Sequence, residues 1–83
     1  MNLSPEMEHQ KNHFLNYGFS SCPLSDEQLC ELERRCVNHD FIYGIGCDVN
    51  AGVDFEVAVL LVHEIYGEES YAPGSHSFID ERD

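Results

Sequence analysis

The chain has 83 residues, enough for one domain spanning 1–83 and a single modest core. Sixteen Asp and Glu stand against four Lys and Arg, a net charge of −12. That balance excludes direct binding of nucleic acid or of an anionic membrane, since both need cationic side chains that displace counterions.

In chain order, Ser4-Pro5-Glu6 reads as a helix start: a hydroxyl cap, proline at the first helical position and an acid in the first turn. This predicts a helix over 5–17, closed by Gly18, with Met7 and Phe14 on one face. A loop over 19–24 follows. Ser25 and Gln28 then form a capping-box pattern. Leu29, Leu32 and Cys36 recur at helical spacing, so the second helix is expected over 25–39. Residues 40–52 read as an irregular middle segment, broken by Gly44, Gly46 and Gly52. A third, central helix is expected over 51–66, capped by Asp48 or Asn50 and closed by Gly67. Beyond it lies a polar, loosely docked tail with a Pro73-Gly74 turn.

The expected fold is a mainly α, three-helix domain. Its second helix packs on the central third one, burying Leu29, Leu32, Cys36, Phe55, Val59, Val62 and Ile65. The alternative is α+β, with strands at 41–43, 53–59 or 76–80, because Val53, Phe55, Val57 and Val59 also alternate as a strand would.

Met1 to Gln10 shows no cationic segment followed by an apolar run, and the longest apolar stretch, Val57 to Val62, is too short to cross a bilayer. A cytoplasmic setting with reduced thiols is therefore expected. The four cysteines are spaced Cys22-x7-Cys30-x5-Cys36-x2-His39, then Cys47. Only Cys36 and His39 approach a chelating pair, and the small-hydrophobe reading of the thiols is the simpler one. His9 and His13 lie one helical turn apart but have no further ligand in view. His63-Glu64 lacks the second histidine of a zinc-protease helix, because position 67 is Gly. The run Asp48-x-Asn50-x-Gly52-x-Asp54-x-Glu56 puts valines where a calcium loop needs its glycine and its final glutamate. Gly44-x-Gly46 has no cation beside it to hold a phosphate. A Cys47–His63 nucleophilic pair is no more indicated than any other Cys–His pairing. No cofactor is implied, and the reading is of a binding protein, not an enzyme.

The charge is the feature left to explain. The acids group as Glu6 and Glu8; Asp26, Glu27, Glu31 and Glu33; Asp48, Asp54 and Glu56; and Glu64, Glu68, Glu69, Asp80, Glu81 and Asp83. So large an excess suits a field that steers the molecule toward a basic protein surface. The expected partner is a nucleic-acid-handling protein, with carboxylates standing in for phosphates and the partner inhibited or modulated. The residues expected to make contact are Glu27, Glu31, Glu68, Glu69, Asp80 and Glu81, with Tyr43, Tyr66, Tyr71 and Phe78 as aromatic anchors. In this general character the chain resembles small acidic inhibitors of phages and mobile elements, of the anti-CRISPR and anti-restriction kind. The alternatives are an accessory or assembly subunit of a larger complex, or a zinc-binding regulatory domain using Cys36 and His39. Nothing in the sequence sets the oligomeric state.

Overall fold

Ser4 opens the first helix: its Oγ accepts the Met7 N–H at 3.3 Å, and Pro5 takes the first helical position, where no N–H is needed. The structure, a computed structural model, describes residues 3–72. Its helices are α1 (Pro5–Asn16), α2 (Asp26–Arg34), α3 (Ile42–Asn50) and α4 (Phe55–Tyr66), with short 3-10 turns at His39–Phe41 and Gly67–Ser70. The mainly α expectation holds. The expected tail, the alternative strand at 76–80 and the Pro73-Gly74 turn lie outside the described residues.

Three of the helices close by the same device. After α1, Gly18 takes a left-handed φ of 97°. The Phe19 N–H then reaches back to Phe14 O and the Gly18 N–H to Leu15 O, both at 3.3 Å. After α3, Gly52 has φ 105°, and Val53 N–H donates to Asp48 O at 2.9 Å. After α2 the left-handed residue is Cys36, with φ 60°. There Val37 N–H donates to Leu32 O and Cys36 N–H to Glu33 O, each at 3.0 Å. This turn stops the second helix at Arg34, not at residue 39 as its apolar spacing predicts. It also turns Cys36 out to solvent, where the sequence places it in the core.

The expected irregular middle is instead helix α3. Two glycines inside a helix cost about 1 kcal/mol each relative to alanine, but Gly46 is what allows the buried Phe14 ring to lie against α3. Likewise 41–43 is no strand, being the end of a 3-10 turn and the start of α3, and 53–59 leads into α4. α4 begins at Phe55, not residue 51, because its cap is Asp54, which accepts the Glu56 N–H at 3.0 Å, and not Asp48 or Asn50.

Two polar contacts set α1 antiparallel to α2: Lys11 Nζ to Asp26 Oδ1 at 3.1 Å, and Ser4 Oγ to Glu33 Oε2 at 2.6 Å. Between them Met7, Phe14, Leu24, Leu29 and Leu32 are buried. Ile42 and Ile45 of α3 continue this core to Ala58, Val59 and Val62 of α4. α4 therefore packs chiefly on α3, not on α2 as expected. Of the expected core, Leu29, Leu32, Val59 and Val62 are buried and Phe55 packs at its margin, whereas Ile65 is 70% exposed. Residues 70–72 lie against 36–38, with Asn38 N–H donating to Ser70 O at 2.8 Å and Ala72 N–H to Cys36 O at 2.7 Å.

Candidate functional site

α4 is apolar on nearly every side, so burying one face leaves another in water. Ala58, Val59 and Val62 face the core. Val57, Leu61 and Ile65, spaced i, i+4, i+8, form a stripe that stays 46%, 44% and 70% exposed, with Leu60 beside it. Such a contiguous apolar surface on a small, highly charged chain marks a contact site more often than scattered exposed leucines do.

Between this stripe and α3 runs a groove of about 430 Å³, lined by Asp40, Phe41, Gly44, Asp48, Leu61, Val62, Ile65 and Tyr66. Gly44 makes room for it: nothing lies within 4 Å of where a Cβ would stand. Phe41 and Tyr66 pack ring to ring at 4.5 Å across the groove. Asp40 and Asp48 bring two carboxylates to its lining, which contains no cation among the described residues.

The electrostatics sharpen this asymmetry. Lys11, Arg34 and Arg35, the cations among the described residues, all have internal partners. Lys11 holds Asp26, and that bond pushes the ammonium pKa up. Arg34 and Arg35 both bind Glu31, at 2.5 and 2.6 Å, and hold its carboxyl below the usual range. Arg35 also forks onto Glu56 at 2.9 and 2.7 Å, tying the end of α2 to the start of α4 and lowering the Glu56 pKa. None of these cations pairs with Asp40, Asp48, Glu64, Glu68 or Glu69.

The structure divides the expected contact residues. Tyr66 lines the groove, and Glu68 and Glu69 follow it, both exposed, in the 3-10 turn. Glu27 is exposed at the start of α2, in a different element, and Glu31 is engaged by two arginines. Tyr43 belongs to an aromatic cluster with His13, Phe14, Tyr17 and Phe19, its ring 5.3 Å from that of Phe14, and burial with Cys47 beside it raises its pKa. Tyr71 stacks on His63 at 4.3 Å. Phe78, Asp80 and Glu81 lie outside the described residues.

His63 closes a small polar knot. Buried Ser70 donates to Gly67 O at 2.5 Å, so its oxygen accepts from His63 Nδ1, also at 2.5 Å. This buried Ser–His contact pins the turn at 67–70 to α4. His9 and His39 line a separate shallow groove of about 270 Å³ with Glu6. Among the described residues, no three His, Cys, Asp or Glu side chains gather where they could hold a metal ion, and Cys36 and His39 acquire no further ligand. No helix among them is long and apolar enough to cross a membrane.

No family model, no curated protein and no solved structure matches this chain.

Sequence reasoning missed the groove. Leu61 and Ile65 carry no signal that tells them from Val59 and Val62, since a helix apolar all round does not declare which face is covered. Asp40, Gly44 and Asp48 were obscured by reading 40–52 as irregular. The helical spacing of Asp40, Gly44 and Asp48, four residues apart, is the signal that places them along one side.

Proposed function

We propose that this chain is a non-enzymatic acidic binding protein that docks on the cationic surface of a nucleic-acid-handling protein and inhibits or modulates it. The observation that carries the reading is the acidic lining of the apolar α3–α4 groove beside cations already paired elsewhere. Carboxylates that none of the described cations engages, next to desolvatable apolar surface, suit a partner whose own face mixes Lys or Arg with apolar side chains. The carboxylates supply steering and charge-assisted hydrogen bonds; the apolar stripe supplies the affinity that steering alone does not.

A second reading, an accessory or assembly subunit of a larger complex, is favoured by the exposed stripe of Val57, Leu61 and Ile65 taken without the charge. Salt and nucleic acid separate the two. Proteins captured on the immobilised full chain at low salt are challenged with double-stranded DNA, with RNA and with rising salt. Release by nucleic acid and by salt supports competition for a basic face. Retention against all three overturns it and favours the apolar assembly contact.

A further inference from the structure

We infer that the α3–α4 groove receives a single amphipathic, basic α-helix of the partner protein. The inference rests on the reading above and narrows it to one site and one shape of ligand. The groove runs between two helices, has an apolar wall in Leu61 and Ile65, and opens over Gly44, where no side chain fills the space. A helix laid into such a channel buries residues at i, i+3 or i+4, and i+7.

The carboxylates fix the rest. Asp40 and Asp48 stand eight positions apart across the turn and helix that form one wall, a separation of roughly 12 Å at helical rise. Cations seven or eight residues apart on a partner helix span roughly the same distance. An anionic or purely apolar helix would leave both carboxylates in a partly desolvated groove without a counter-charge, which is costly. A second copy of this chain is a poor occupant for the same reason, since each copy carries a net charge of −12.

The test uses the full chain and a labelled synthetic helix of roughly 18 residues, five turns. The helix has leucines on one face and arginines seven and eight residues apart beside them. A scrambled peptide of equal composition and a stripe peptide with glutamine for arginine serve as controls. The stripe peptide is expected to bind, with both controls weaker by about tenfold or more. Gly44→Leu projects a side chain into the channel from a position where the Cβ meets nothing within 4 Å, so affinity is expected to fall by about tenfold or more, with an unchanged urea midpoint checking that the fold persists. Combining Asp40→Asn with Asp48→Asn reduces binding several-fold and flattens its salt dependence.

Equal binding of the scrambled peptide, or no effect of Gly44→Leu, overturns the inference. So does a dimer in sedimentation that Ile65→Asp dissolves, or displacement of the probe by a peptide of residues 73–83, since either shows another occupant. If Gly44→Leu protein still holds its nucleic-acid-displaceable partner at full strength, the groove is not the site, and docking on a basic face stands only through carboxylates elsewhere on the chain. If nucleic acid displaces nothing from the unaltered chain, both fall.

Discussion

Gly46 of α3 lies against the ring of Phe14 with no space for a side chain between them. A methyl at Gly46 would overlap the ring edge and come within 3.3 Å of Pro23 Cγ. Phe14 is wholly buried and flanked by Phe19 and Tyr43, so the ring has nowhere to retreat. Gly46→Ala is therefore expected to lower stability by about 1–3 kcal/mol through overpacking, despite the better helix propensity of alanine. Gly44→Ala, two residues earlier in the same helix, meets nothing and should raise stability by up to about 1 kcal/mol. Urea denaturation of both variants checks the opposite signs.

Cys36 offers a second test of backbone conformation. A side chain at left-handed φ costs about 1–2 kcal/mol, and glycine relieves it while giving back part of the gain to the unfolded chain's greater freedom. Cys36→Gly should stabilise the fold by up to about 1 kcal/mol. Cys36→Val, β-branched at the same φ, should destabilise it. Thermal midpoints that move the other way would remove the left-handed turn as the reason α2 stops.

These two positions also show what the sequence made legible. The starts of α1 and α2 were plain, because Ser4-Pro5 and the Ser25–Gln28 box announce themselves by residue type and both caps form, whereas Asp48, Asn50 and Asp54 all offered a cap for α4 and only Asp54 is used. Ends marked by Gly18 and Gly67 were plain for the same reason. The end of α2 was hidden because cysteine occupies a place where glycine is the usual signal. α3 was hidden because Gly44 and Gly46 read as breakers, and only the packing of Phe14 shows what one of them is for. The site was the least legible part. Charge excess pointed to a cationic partner, but which carboxylates are already engaged by Arg34 and Arg35, and which face of α4 is left bare, are tertiary facts.

His63 links stability to pH. Burial first, and then the charge of Arg35, hold its pKa below the ordinary value of 6.5. The unfolded chain takes up a proton near pH 6.5, while the folded form resists until lower pH. The stabilisation is thus fully present above about pH 6.5 and is lost progressively as pH falls through the folded-state pKa. The urea midpoint should drop on acidification across that window, and the drop should shrink in His63→Gln. An undiminished drop in the variant would place the titrating group elsewhere. Ser70→Ala, which strips His63 of its buried acceptor, should cost about 1–3 kcal/mol at neutral pH.

Val62 and Ile65 stand three residues apart on α4 and separate folding from docking. Val62 is 9% exposed and Ile65 is 70% exposed. Val62→Ala removes two buried methyl groups and should cost about 1.5 kcal/mol. Ile65→Ser lies in water and should shift stability by no more than about 0.5 kcal/mol. Binding should respond in the reverse sense. Ile65→Ser removes a wall of the groove and should weaken the amphipathic basic probe by about tenfold, whereas Val62→Ala, at the groove's inner margin, should weaken it less. Paired denaturation and anisotropy measurements decide the point. If Ile65→Ser destabilises the isolated chain as much as Val62→Ala, then α4 buries both faces in solution and its outer stripe is part of the core.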